Sequence, residues 1–212
     1  MSKSILVDNL TGVILAGGKS SRMRVDKSLL KIDDVTLIER CYELMKSVFT
    51  KVVISTNNPD QFDFINSEKV KDIYQDFGPL SGIYSALKFL NAKKVFVLSV
   101  DMPFILPDLI RYLINFETDE LITVPFAEQR THYLSGIYSI ELIPILESIL
   151  ESNIEARNNN KEIIKSSLSL WNFVERVGAE IVNVEEKVFY MKDLFFNINT
   201  PADFEYVKNR LI

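Results

Sequence analysis

Short apolar runs without polar alternation recur along the chain, separated by stretches in which apolar residues return at helical spacing. Val13-Ile14-Leu15, residues 51–55 (KVVIS) and residues 95–100 (VFVLSV) are of the first kind. Runs with no polar face fit strands buried on both sides, as in a parallel sheet. Residues 37–48 are of the second kind: Leu37, Ile38, Cys41, Leu44, Met45 and Val48 recur on one helical face. Thr36 and Glu39 stand ahead of them at capping-box spacing. A weak helix over 60–67, a third short strand over 70–74, a helix over 83–90 and a helix opening at Pro107 continue the series. Pro107 suits a first helical turn. This alternation through residue 116 predicts an α/β fold: a Rossmann-like, doubly wound, mostly parallel sheet with helices on both faces.

The second half is less regular. Residues 121–124 read as a strand, and residues 135–139 (SGIYS) as another at a different orientation. Residues 141–151 read as a helix with Pro144 in its first turn. The polar stretch 157–165 reads as a mobile loop or a helix start, 168–177 as a helix and 180–184 as a strand. Residues 195–199 (FFNIN) read as a short strand or edge. Thr200 and Pro201 supply the cap and first turn of a final helix. At 212 residues one domain spanning 1–212 is expected, with halves at about 10–116 and 117–212.

Composition narrows the function classes. Hydrophobic content of 47% with 25% charged residues is ordinary for a soluble globular protein. A net charge of −5 argues against a general nucleic-acid binder, which needs a basic excess. No apolar run approaches the roughly 20 residues that span a bilayer. The opening MSKSILVDNL lacks a long apolar segment of the signal-peptide kind, so the cytoplasm is the expected compartment. The single cysteine, Cys41, excludes an internal disulfide and falls in an amphipathic pattern, as a core residue rather than a nucleophile. One histidine, His132, leaves no histidine-rich zinc site. The G-x-S-x-G elbow of a serine hydrolase is absent as well.

The candidate chemistry centres on 12–31, GVILAGGKSSRMRVDKSLLK. The buried run breaks at Ala16-Gly17-Gly18, where two residues without Cβ let backbone N–H groups form an anion-binding concavity. Lys19, Arg22, Arg24 and Lys27 add positive charge directly afterwards. A polyphosphate cradle is one reading; a surface loop with solvated cations is the other. Neither the P-loop spacing nor the GxGxxG dinucleotide pattern is present. Asp101 ends the 95–100 run, and Pro103 stops it. Ligands of open parallel sheets bind beyond the carboxyl ends of strands, where Gly17, Gly18 and Asp101 all fall. A carboxylate there suits Mg²⁺, which takes few protein oxygens and completes its shell with phosphates. Alternatively, Asp101 only caps the loop that follows. Ser55 and Asp76, at other strand ends, are candidates for base or ribose contacts.

The motif L-A-G-G-K-S-S-R-M-x-x-D-K resembles the nucleotide-binding loop of the MobA-like nucleotidyltransferases. Its Ala-Gly-Gly and Asp-Lys forms are similar to those of the molybdenum cofactor guanylyltransferases within that family. Segments G-P-L-x-G at 78–82, D-x-P at 101–103 and N-x-N-T-P at 197–201 agree. Arg24 departs from the glycine usual there, Tyr133 follows His132 where the family has proline, and 152–170 lacks the family's glycine-and-arginine stretch. The resemblance implies a nucleotide-diphospho-sugar transferase-like fold. It implies that the backbone of Leu15, Ala16, Gly17 and Gly18 holds a nucleotide, with Gly78, Pro79 and Gly82 beside the base. Arg22 and Lys27 would offset triphosphate charge, Asp101 would bind Mg²⁺, and Asn197 and Asn199 would contact the acceptor. The implied reaction transfers GMP from GTP to the phosphate of molybdenum-molybdopterin and releases pyrophosphate. A monomer making transient contact with other molybdenum-cofactor proteins, without nucleic acid or membrane partners, goes with it. Other readings are a nucleotidyltransferase for a sugar phosphate, a cobinamide phosphate or a cytidylylated pterin, a non-catalytic nucleotide-binding regulator, and a flavodoxin-like electron carrier.

Overall fold

The computed structural model describes residues 10–17, 26–159 and 165–211. Gly18, Lys19, Arg22 and Arg24 lie outside the described residues. The run at 13–15 is the centre of strand β1 (Leu10–Leu15), buried along its whole length. A 3-10 turn, Lys27–Leu29, leads into a small hairpin of β2 (Lys31–Ile32) and β3 (Val35–Thr36). Helix α1 (Leu37–Lys46) follows with both arms of the expected capping box: the Thr36 hydroxyl accepts from the Glu39 N–H, and the Glu39 carboxylate accepts from the Thr36 N–H. The chain continues through β4 (Val52–Ser55), β5 (Glu68–Val70), α2 (Pro79–Leu90), β6 (Lys94–Ser99) and α3 (Pro107–Ile114). The second half supplies β7 (Ile122–Ala127), β8 (Arg130–Thr131), β9 (Ser135–Ser139), α4 (Ile143–Asn158), α5 (Leu170–Val177), β10 (Glu180–Asn183) and α6 (Pro201–Leu211).

Seven of these strands lie in the order β10-β7-β9-β6-β1-β4-β5, with β8 paired to β7. Strand β1 is parallel to both neighbours, and β9 runs against both of its own. Side chains alternate between two cores. Ile14, Ile54, Phe96 and Leu98 pack under α1 and α3 with Cys41, Met45 and Leu109. Val13, Leu15, Val53, Val95 and Val97 pack under α2, α4 and α5 with Ile83, Leu146 and Phe173. The doubly wound α/β expectation therefore holds, as a mixed sheet. The chain goes from β1 to β4 on one side and returns to β6 on the other, so the β1–β6 boundary is the switch point where such sheets form ligand crevices.

Three expected elements differ. The helix over 60–67 is reduced to a 3-10 turn, Pro59–Phe62, because only Phe62 and Ile65 of that segment are buried and the rest is polar or exposed. The strand over 70–74 ends at Val70. Its neighbour β4 ends at Ser55; after the Thr56 N–H has donated to the Val70 carbonyl, the next bond goes to a side chain, from the Asp72 N–H to Asn57 Oδ1. Residues 195–199 form no ladder. The Phe196 N–H closes a turn on Asp193, and the Ile198 N–H donates to the Asp101 carbonyl at 3.0 Å.

His132 is buried, with its ring stacked on Phe195 at 3.8 Å and its Nε2 3.1 Å from the Ala127 carbonyl. That pairing makes Nε2–H the donor. Burial lowers its pKa from the usual 6.5 to about 4, so the ring is neutral near pH 7. The unfolded chain takes up this proton first as pH falls. The stability due to His132 is therefore complete above pH 6.5 and is lost as pH drops toward 4. Urea midpoints measured between pH 7 and 4 should fall more steeply for the wild type than for His132→Gln. Thr36→Ala, which removes the α1 cap, should cost about 1 kcal/mol in the same assay at pH 7.

Candidate active site

The carboxyl ends of β1, β4 and β6 open onto a cavity of about 550 Å³. Of the residues singled out from sequence, Leu15, Ala16, Gly17, Ser55, Asp76, Gly78, Pro79 and Gly82 line it. The β1–β6 register brings this about. Leu15 pairs with Ser99, and the Val100 N–H donates to the Leu15 carbonyl at 3.2 Å, one step beyond the ladder. The Ala16-Gly17 turn and Asp101 thus leave adjacent strands at one rim. The Ser99 hydroxyl, in the cavity wall, donates to Asp101 Oδ1 at 2.6 Å.

Lys27 meets Asp101 from the other side. Asp26 caps the 3-10 turn, accepting from the Ser28 N–H at 2.9 Å and from its hydroxyl at 2.6 Å. Gln61, from the β4–β5 connection, donates to the second Asp26 oxygen at 2.6 Å. So held, the turn directs Lys27 Nζ to 3.7 Å from Asp101 Oδ2 and to a 3.1 Å hydrogen bond with Asn199 Oδ1. Asn199 is itself held by its N–H donating to Asp203 Oδ2, the residue that also receives the Thr200 N–H at the start of α6. Lys27, Asp101 and Asn199 are therefore brought together. Asn197 is turned into its own loop, its amide donating to the Phe195 carbonyl. Gly18 and Arg22 lie outside the described residues.

The opposite wall is built by the loop after β5 and the start of α2. Gly78 precedes the helix at φ +69°, which glycine adopts without a side-chain clash. A Cβ at Gly82 would lie 3.0 Å from Leu15 Cδ2 and 3.1 Å from Ser55 Oγ, so glycine at this position lets α2 approach the sheet. One residue in this wall was not singled out from sequence. Asp72 lines the cavity, and its Oδ2 accepts from Asn57 Nδ2 at 3.0 Å. Burial raises its pKa above the usual 3.8, against the lowering effect of hydrogen bonds from Asn57 and Ser55. The signal available was positional: Asp72 follows β5 by two residues, as Asn57 follows β4.

Asp101 fits a divalent metal. One oxygen is oriented by Ser99 and the other faces Lys27 at the cavity rim. Among the described residues no cluster of three or more His, Cys, Asp or Glu side chains is placed to enclose a metal. A single carboxylate at the rim of such a cavity is the donor set of a hard cation that takes its other oxygens from substrate and water. Cys41 is buried and its thiol is pushed well up by burial, with the Asp101 charge adding to this, so it is no thiolate.

Comparison with known proteins identifies the family. The model of the MobA-like NTP transferase domain matches residues 12–169. A Clostridium perfringens protein named probable molybdenum cofactor guanylyltransferase is 34% identical over 198 residues, covering 92% of this chain and 94% of its own. A crystal structure of an Aquifex aeolicus protein superimposes with a TM-score of 0.71 at 32% identity, covering 94% of this chain and 96% of that one. The Archaeoglobus fulgidus molybdopterin-guanine dinucleotide biosynthesis protein A shares the fold, with a TM-score of 0.74 at 22% identity over 95% and 98% of the two chains. With a family model over residues 12–169 and a relative 34% identical over nearly the whole chain, this chain is a nucleotidyltransferase belonging to the MobA-like NTP transferase family.

Proposed function

We propose that the protein transfers GMP from GTP to the phosphate of molybdenum-molybdopterin, releasing pyrophosphate. The observation that carries this is the meeting of Lys27 and Asp101 beside the Ala16-Gly17 turn, on the rim of a cavity of nucleotide size. The names of relatives about a third identical supply the acceptor and the base. In the reaction an acceptor phosphate oxygen forms a bond to the α-phosphorus while the bond from that phosphorus to the bridging oxygen of pyrophosphate breaks. The attacking oxygen is already anionic, so no strong general base is needed. Positioning and charge neutralisation are the main demands. The protein's only histidine, committed to Ala127 and Phe195, is consistent with that.

Each residue has a role on this reading. Backbone groups of Leu15, Ala16 and Gly17 hold the nucleotide. Lys27 offsets charge on the triphosphate and on the departing pyrophosphate. Asp101 would hold Mg²⁺, with Ser99 fixing the carboxylate; such an ion supplies Lewis-acid charge neutralisation at the phosphates. Asp72 supports a choice of guanine, which offers adjacent N–H donors at N1 and N2 that a carboxylate can accept together. Ser55 and Asp76 contribute base or ribose contacts, and Gly78, Pro79 and Gly82 form the surface beside the ring. Asn199 stands where acceptor and triphosphate would meet.

Mass spectrometry of the product formed from Mg-GTP and molybdopterin tests the activity; a mass without the added GMP would reject it. Lys27→Ala and Asp101→Asn should each lower turnover by about 10²- to 10³-fold with unfolding midpoints near wild type, the scale for removing one electrostatic group at a reacting centre. Asp72 must be ionised to accept two donors, and its raised pKa brings its protonation closer to neutrality. GTP affinity should therefore fall as pH is lowered from 7, starting above the range of an ordinary aspartate. Asp72→Asn should weaken GTP binding by about 10- to 100-fold at pH 7, as expected for loss of a charged hydrogen-bond partner, and should remove that pH dependence. Calorimetric titration at several pH values checks both.

A further inference from the structure

The wall of the cavity at 75–78 is gripped from outside by a residue of the second half. Arg157, near the end of α4, donates from a guanidinium nitrogen to the Gln75 carbonyl at 3.1 Å. Its Cζ lies 4.2 Å from the centre of the Phe77 ring, within the distance of a cation–π contact. Phe77 is buried in the α2–α4 core. Asp76 and Gly78, the alternate residues of the same segment, face the cavity instead.

The grip falls on a stretch with two residues at positive φ, one of them not glycine. Asp76 has φ +68° and Gly78 has φ +69°. A non-glycine residue holds such a conformation only where its surroundings over-determine it, and such positions concentrate at functional sites. Fixing residues 75 and 77 fixes the orientation of residue 76 between them. Nearer the sheet, α2 supports the same loop: the Ile73 N–H donates to Ser85 Oγ, and Ser81 Oγ donates to the Tyr74 carbonyl. The platform that carries Arg157 is anchored too, since Tyr84 and Lys88 of α2 both bond Glu147 of α4. A guanidinium is suited to this double contact, because its plane stacks on a ring while its edge donates. A lysine in its place makes one contact or the other.

We propose that Arg157 is a positioning residue for nucleotide recognition. It holds Asp76 and Gly78 in the shape that receives the base without touching the ligand, and so ties the second half of the chain to the nucleotide half. This rests on the reading of the cavity as a nucleoside triphosphate site. No position matching the family's glycine-and-arginine stretch is needed for it, since the contacts are this chain's own.

The test uses the full-length protein, Arg157→Ala and Arg157→Lys, with Mg-GTP and Mg-ITP binding by calorimetry and steady-state rates with GTP and molybdopterin. Arg157→Ala should weaken GTP binding and raise KM for GTP by about 10-fold, the scale of one hydrogen bond plus one cation–π contact. It should narrow the preference for GTP over ITP and leave kcat at saturating GTP and KM for the acceptor within about twofold. Arg157→Lys should fall between, and it keeps the test open if the alanine variant is poorly folded. A lower melting temperature with unchanged GTP affinity and GTP/ITP preference in both variants would overturn the inference, since a purely structural contact behaves that way. If the wild type itself binds neither GTP nor ITP, the reading of the cavity fails first, and the two failures are distinguishable.

Discussion

The register between β1 and β6 is the constraint on which the site depends. Leu15 and Ser99 are opposite one another in the ladder, and the Val100 N–H extends the pairing by one bond. From that point the two chains must diverge, one as an Ala-Gly turn with open backbone amides, the other as an aspartate. A slip of one residue would send the side chains of β6 to the opposite core and Asp101 away from the turn. Burial prevents it, because Val95 and Val97 belong to one core and Phe96 and Leu98 to the other.

The cavity wall carries Asp26, Asp72 and Asp76, with Asp101 next to it. Such a surface is a poor host for a polyanion by itself. Among the described residues Lys27 is the cation bonded at the rim, and it already faces one of these carboxylates. The acidic wall is reasonable only if its charges have separate partners: a divalent ion at Asp101, base N–H donors at Asp72, and the Ser28 and Gln61 donors at Asp26. The overall charge of −5 and the local cationic motif are therefore compatible.

Much of this was legible in the sequence because it is local. The unalternating runs at 13–15 and 95–100 gave buried parallel strands, Thr36 with Glu39 gave a cap, and Asp101 followed from the end of its strand. The lining of the cavity by Ser55, Gly78, Pro79 and Gly82 followed from the same logic of strand and helix ends. The rest is made of pairings that no local pattern encodes. Asp72 is held by the side-chain amide of Asn57, 15 residues away, which bonds both its carboxylate and its N–H. The 70–74 segment reads as a strand, but its last ladder bond is the one from the Thr56 N–H to the Val70 carbonyl, and beyond it Asp72 turns to the Asn57 side chain. His132 is neutral and structural only because Phe195, from the far end of the chain, covers it. Asn199 belongs with Lys27 by a contact that a sequence motif places on neither.

That last contact spans 172 residues. During synthesis β1 and the lysine turn emerge early, while the loop bearing Ile198 and Asn199, which bonds both Asp101 and Lys27, emerges far later. At 5 to 20 residues per second the interval is roughly 10 to 30 seconds. Throughout it the nascent chain holds the lysine, and from residue 101 onward the aspartate, without the segment that braces them. Completion of the Lys27–Asp101–Asn199 cluster is thus a late event in the life of each molecule, tied to docking of the tail and not to formation of the first strands.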